Sequence, residues 1–291
     1  MKTRCRLAIA VSVFSVWVLG GATAARAQGS SSILAAMAAA YGDLIDQELS
    51  VPSLGGPTGI VSVPNAITIP AGTWQVALGY QGMRASASGV WEDHDDFGAW
   101  SVQTTHRLSD TGEAWASYSC TTNHPASHAW ALGGKKMFTR LEGGGPFAAV
   151  GASYHRWDDA FGGGWSADDP VRPDANVVRA YAVVTGDLSG ESWVPLLGTA
   201  GVAYTRLDPD GGRSQSLTGP FVGVQAIIWG TELGLEYRWG DPSLDAKPVL
   251  SAAIRQVLST EVTAELGTTN ASPVGTGLSA QRLFLRVSRC L

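Results

Sequence analysis

The stretch Thr231-Glu232-Leu233-Gly234-Leu235-Glu236-Tyr237-Arg238-Trp239 alternates apolar and polar side chains at every step. In an extended strand successive side chains leave on opposite faces. Leu233, Leu235, Tyr237 and Trp239 therefore share one face, and Glu232, Gly234, Glu236 and Arg238 share the other. A soluble half-buried strand would alternate in the same way, so one such stretch decides nothing. Repetition decides it. Working outward, twelve strand candidates cover approximately 73–83, 97–108, 113–121, 128–140, 146–156, 176–186, 196–206, 218–229, 231–239, 247–258, 261–268 and 281–289. The expected fold is all-β: a closed antiparallel transmembrane β-barrel of about 12 strands, each needing only about 10 residues to cross a membrane.

The connections give a second test. If the first strand rises from the periplasm, odd connections should be long and even ones short. The odd ones are roughly 84–96, 122–127, 157–175, 207–217, 240–246 and 269–280. The even ones are 109–112, 141–145, 187–195, 230 and 259–260, with 187–195 the one long exception. Glycine, 36 residues in all, recurs inside the strands at Gly79, Gly151, Gly201, Gly223 and Gly234, where a barrel uses it for curvature and small lumen positions. Trp74, Tyr80, Trp100, Trp130, Tyr154, Tyr204, Trp229, Tyr237 and Trp239 lie near strand ends and fit two interfacial girdles.

The chain divides into three parts. Residues 1–27 read as a cleavable signal peptide: Lys2, Arg4 and Arg6, an apolar run from Leu7 to Leu19, then Ala25-Arg26-Ala27. The apolar run is shorter than the roughly 20 residues of a spanning helix. Its removal leaves 16 basic against 25 acidic residues, and no basic cluster suggests nucleic acid. Residues 28–72 form an Ala-rich helical stretch over 33–49 and a Gly/Pro-rich segment, lying in the periplasm or plugging the barrel. Residues 73–291 form the barrel. Of the cysteines, Cys120 and Cys290 survive cleavage and are expected as unpaired thiols, being on strands far apart in order.

Within the second part, Thr58-Gly59-Ile60, Pro64, Ala66 and Gly72 match a "TGL/I-x-x-P-x-A" pattern followed by a glycine and a strand. This plug or lead-in motif resembles the YjbH-type family of outer-membrane proteins linked to exopolysaccharide biosynthesis. The match covers a short stretch, there is no lipoprotein cysteine, and the chain is shorter than large family members. The resemblance implies support of envelope or exopolysaccharide export. At the other end, Leu283, Leu285, Val287 and Leu291 share a face, and Leu291 stands where outer-membrane proteins usually end on an aromatic read by the assembly machinery.

Lumen-lining candidates on the inward faces are Lys135, Arg179, Glu232, Glu236, Arg238, Arg255, Glu265, Arg282 and Arg286. Glu236 or Glu232 near Arg255, and Glu265 near Arg255 or Arg282, can pair across the wall as a salt-bridge lattice or line a path for a polar solute. Outer-membrane lipid enzymes place His and Ser two apart on a strand. The only candidate cluster considered, Asn123 to His128, has His124 and Ser127 three apart beside Pro125, so no catalytic residue is assigned. Acidic runs at Glu92 to Asp96, Asp158-Asp159 and Asp168-Asp169 lack the twelve-residue calcium-loop pattern. No metal or other cofactor is expected. The expected partners are outer-membrane lipid, lipopolysaccharide, the barrel assembly machinery, and a polysaccharide or small polar solute. A non-enzymatic outer-membrane protein of export or transport is the leading expectation. A passive porin-like channel is the rival, followed by a lipid-modifying enzyme.

Overall fold

The computed structural model describes residues 53, 57, 59–69, 72–84, 96–121, 128–138, 146–158, 174–190, 194–211, 213–228, 231–241, 246–259, 261–271 and 277–291. The signal segment and the helix expected over 33–49 lie outside them. Twelve strands follow in order: β1 (Trp74–Arg84), β2 (Asp96–Ser109), β3 (Gly112–Thr121), β4 (His128–Phe138), β5 (Phe147–Asp158), β6 (Ala175–Asp187), β7 (Leu196–Pro209), β8 (Gln215–Ile228), β9 (Thr231–Arg238), β10 (Val249–Val257), β11 (Val262–Ala271) and β12 (Gly277–Cys290). Each pairs antiparallel with its sequence neighbours, and β12 returns to β1, closing the sheet. At the seam Gln75 faces Cys290 and Gln81 faces Phe284, while Trp74 and Leu291 exchange backbone hydrogen bonds of 3.2 and 2.8 Å. Closure leaves no unpaired edge.

Odd strands rise from the near rim, which holds Trp74 and Leu291, to the far rim, and even strands descend. Alternation in the sequence becomes alternation across the wall. In β10, Val249, Ser251, Ala253 and Arg255 are buried inside while Leu250 and Ile254 are exposed outside. Every strand except β8 carries a large apolar side chain exposed on its outer face, Leu283 reaching 71%. An apolar surface continuous round a closed wall, with polar and charged groups within, is the inverse of a soluble domain. It suits hydrocarbon as the outer solvent, because every backbone group of the wall is satisfied strand to strand. The fold is a closed antiparallel transmembrane β-barrel.

Among the described residues the outer aromatics gather mostly toward the far rim, with Trp74 and Phe138 at the near rim. Tyr80 packs on Trp100 (ring centroids 4.8 Å apart), Trp130 on Tyr154 (5.4 Å) and Tyr237 on Trp239 (4.7 Å), all toward the far rim with Tyr118 and Tyr204. At the near rim Trp74 stacks on His106, and the exposed apolar residues around that rim include Leu108, Phe138, Leu188, Leu258 and Leu291. Trp229 lies outside the described residues. Rings that carry a hydroxyl or indole N–H suit a headgroup boundary, and here they are concentrated on one side.

Loop sorting is weaker than the sequence suggests. Far-rim connections are 85–95, 122–127, 159–174, 210–214, 239–248 and 272–276, and near-rim ones are 110–111, 139–146, 188–195, 229–230 and 258–261. The reason is that β7, β8 and β12 continue past the apolar belt as paired but polar ladder. Arg206 opposite Ser216 extends the β7–β8 hairpin and shortens its loop. Conversely, 139–146 equals 188–195 in length, so the near rim has two long turns instead of one. Cys120 at the far end of β3 and Cys290 at the near end of β12 are free thiols.

Inside, four cross-strand pairs place an aromatic ring directly against a glycine: Trp115 on Gly133, Tyr181 on Gly151, Phe221 on Gly201 and Phe284 on Gly267. A Cβ added at Gly201 would come within 2.4 Å of the Phe221 ring. Only a residue without a side chain lets these rings lie flat on the wall, leaving the middle of the barrel for other chain.

Candidate functional site

That chain is the segment before β1. Residues 59–69 cross the lumen, and Ile60, Val61, Val63, Ala66 and Ile69 are each at most 2% exposed. Gly59 and Pro64 bridge antiparallel, and the Ile60 amide donates to Val63 carbonyl at 3.1 Å, so residues 60–63 form a tight turn. The turn gathers three successive amides. Val61 N, Ser62 N and Val63 N donate to the Glu236 carboxylate at 2.8–3.0 Å, and the Ser62 hydroxyl donates to it as well. Consecutive N–H groups in a turn make an anion-binding concavity, and here the bound anion is a side chain of the wall. Hydrogen bonds to a charged group contribute about 1.5–3 kcal/mol each.

Further ties hold the segment along its length. Arg255 Nη2 donates to Ile60 carbonyl at 2.6 Å, and its Nη1 forks onto Glu232 at 2.8 Å to both oxygens. Gln225 supports Glu232 at 2.8 Å. Arg255 also reaches Glu265 at 3.4 Å, which pairs with Arg286. The Ala66 amide donates to Thr185 Oγ1 at 2.9 Å. Lys135 donates to the carbonyls of Asn65 (3.3 Å) and Ile67 and pairs with Glu113 at 3.1 Å. Glu113 accepts from the Ile69 amide at 3.3 Å, and Arg107 donates to Ile69 carbonyl at 3.1 Å. Six strands, β2, β3, β4, β6, β9 and β10, thus hold eleven residues of plug.

Apolar packing completes the seat. Ile60 sits in a notch between two glycines: a Cβ at Gly223 would meet its Cδ1 at 2.3 Å, and one at Gly234 its Cγ2 at 2.9 Å. Ile60, Val61, Val63 and Ala66 pack on Ala149, Val183, Phe221, Ala253 and Phe284. The plug motif is thereby placed: Gly59 and Pro64 close the turn, Ala66 is fully buried, and Gly72 takes φ +72° just before β1. Thr58 lies outside the described residues.

All nine charged candidates are on strands with their side chains inward, and the structure sorts them. Lys135, Glu232, Glu236, Arg255, Glu265 and Arg286 meet the plug or one another in the near half. Glu265 pairs with Arg255 and Arg286, not Arg282, and Glu236 turns to the plug amides rather than to Arg255. Arg179, Arg238 and Arg282 stand apart, nearer the far rim. Sequence reading missed Glu113, Arg107, Gln225 and Thr185. Glu113 shares the inward phase of Trp115, a signal available in Glu113-Ala114-Trp115.

A Ser–His pair two residues apart, outside the cluster at Asn123 to His128, lies on β5. Ser153 Oγ and His155 Nε2 are 3.0 Å apart on the inner face of β5. Among the described residues no carboxylate meets the imidazole, and Arg179 stands opposite Ser153, so an imidazolium formed there would sit beside a guanidinium. That surrounding opposes general-base chemistry. His124 and Ser127 lie outside the described residues. Asp158, with Asp174 and Asp210, surrounds Arg156 at 3.4, 2.7 and 3.0 Å, so this carboxylate cluster is organised round a guanidinium. Among the described residues, no group of three His, Cys, Asp or Glu is arranged to hold a metal.

No family model matches the sequence, and no curated protein matches it. Solved structures do. An outer-membrane channel from Pseudomonas putida F1 aligns over 77% of this chain and 97% of its own, with 14% identity and a TM-score of 0.46. The KdgM porin aligns over 75% and 98%, at 9% identity and 0.41, and Acinetobacter baumannii Omp33 over 75% and 98%, at 9% and 0.40.

Proposed function

We propose that the protein is a non-enzymatic outer-membrane channel held shut by its own N-terminal segment, working in envelope or exopolysaccharide export or in the transport of another polar solute. The observation that carries this is the seating of residues 59–69 across the lumen by hydrogen bonds from six strands. A belt of exposed apolar side chains outside and a charged lining within support the membrane address. The Gly59–Gly72 motif supports the export reading. A permanently open porin is opposed by the plug, which stands where its solute would pass.

Conductance of the refolded full chain in a planar bilayer tests the proposal. The closed wild type should be silent or flicker briefly. Glu236→Ala removes the acceptor of three plug amides and should give frequent, long openings. Steady wild-type conductance would favour the passive porin. Silence of a verified, folded Glu236→Ala barrel, even under raised voltage, would sink the channel.

A further inference from the structure

The lumen is balanced below the plug and cationic above it. On each strand concerned, the arginine lies farther toward the far rim than a residue that holds the plug or, for Arg286, pairs within the network that does. Arg238 follows Glu236 in rising β9, Arg282 precedes Arg286 in descending β12, and Arg179 precedes Thr185 in descending β6. Arg179 and Arg238 belong to one layer, joined through Thr205. Thr205 faces Arg179 across the β6–β7 ladder and accepts a 3.1 Å hydrogen bond from Arg238 Nη2, which reaches over β8. On the opposite wall Arg282 faces Thr269, whose hydroxyl bonds Ser251 at 2.7 Å. Ser251 in turn faces Glu236 across the β9–β10 ladder, and that carboxylate is taken up by the three plug amides.

Arg282 is 4% exposed and Arg238 is 9% exposed. Among the described residues, Nε of Arg238 and both Nε and Nη1 of Arg282 are buried without an acceptor. Buried charged donors left unmet are expensive, and native structures meet them with a ligand, an ion or water. Arg255 and Arg286 below the plug also leave one N–H each, but both already hold a carboxylate. The chain as a whole carries −5, so the cationic layer is a local arrangement and not a reflection of bulk charge.

We infer that this layer is a binding site for an oxyanion-bearing solute, carboxylate or phosphoryl, that enters from the far rim and rests on the plug. Guanidinium forks match such oxygens two at a time. Like charges facing one another across a low-dielectric wall focus attraction on an incoming anion. The hydroxyls of Thr205, Ser251 and Thr269 supply neutral partners for the rest of a polar solute. The inference deepens the transport reading by naming its solute class and rests on it for the route of entrance, but the site itself stands on the arginine layer alone.

Calorimetric titration of the full mature protein in detergent tests it, using inorganic phosphate, glucuronate and uncharged glucose. Saturable heat for phosphate, glucuronate or both, with none for glucose, is expected, and the preferred anion identifies the oxyanion. Arg282→Gln and Arg238→Gln should each weaken binding at least tenfold, while Arg282→Lys, which keeps the charge, should lose less. Heat-modifiable migration on gels verifies that each variant is folded. Equal binding of glucose, no binding of either anion, or variants that bind like the wild type would overturn the site. Anion binding in a barrel that never conducts after Glu236→Ala would keep the site and sink the channel. An opening barrel that ignores both anions would do the reverse.

Discussion

The two halves of the lumen are built from the same twelve strands and the same alternation, yet they treat charge in opposite ways. Toward the near rim, Glu113 with Lys135 and Glu232 with Arg255, Glu265 and Arg286 are matched carboxylate to cation, and the plug backbone takes up what remains. Toward the far rim, Arg179, Arg238 and Arg282 face hydroxyls instead. A network in which each buried charge already has a partner is suited to holding something in place. A layer in which Arg238 and Arg282 keep buried donors without an acceptor among the described residues is suited to receiving something. The same residue type therefore serves as clamp in one half and as receptor in the other, and position along the strand decides which.

That contrast can be broken by substitution, and the largest effect should come from its clamp side. Arg255→Met leaves Glu232 buried with no cation among the described residues, supported by Gln225 alone, and takes one of two arginines from Glu265. It should destabilise the barrel by about 3–5 kcal/mol, read as the urea midpoint in lipid vesicles. An unchanged midpoint would mean that the near half is not a coupled network. Next comes the apolar seat: Gly223→Val drives a side chain into Ile60, whose Cδ1 would be 2.3 Å from the new Cβ. The expected loss is about 1–3 kcal/mol, with the plug becoming cleavable by added protease, and a protected plug would show that the notch is not what seats it. Arg238→Gln on the receptor side gives up one hydrogen bond to Thr205 together with a buried charge whose Nε has no acceptor among the described residues. Its stability should stay within about 1 kcal/mol of wild type, and a loss as large as that of Arg255→Met would erase the distinction between halves. Least of all, Glu261→Ala breaks the outer Arg289 pair, whose side chains are 60% and 55% exposed, and should cost under about 1 kcal/mol.

Much of the wall was legible because the physics of a strand is local. Leu233, Leu235 and Tyr237 declare their face within a few residues, and the inward phase of Lys135, Glu232 and Arg255 follows from counting by two. The plug contacts were not legible, since they join residues far apart: Ile60 and Arg255 are separated by 195 positions. A motif around Gly59 and Pro64 signals a turn, but nothing local says that Glu236 will fill it. Glu113 was missed because β3 sets small residues on each face, Ala114 and Ala116 outside and Ser117 and Ser119 inside, and so alternates weakly. The aromatics were visible at strand ends, while their uneven share between the rims among the described residues depends on which end of each strand is up. Ser153 and His155 show the opposite lesson. Their spacing is readable, and what removes their catalytic appeal is the cross-strand neighbour, Arg179.

The four ring-on-glycine pairs have a consequence for how the wall assembles. A closed barrel can be mispaired by sliding one strand along its neighbour by two residues, which preserves the inside–outside pattern and so escapes the hydrophobic penalty that guards against a slip of one. Here such a slip would carry Trp115 onto Ala131 or Lys135, Tyr181 onto Ala149 or Ser153, Phe221 onto Thr199 or Ala203, and Phe284 onto Glu265 or Thr269. Each of those residues has the Cβ that the ring cannot tolerate. The glycines thus act as index marks, one on each of four hairpins, that let a folding chain recognise correct alignment before the plug or the seam is in place.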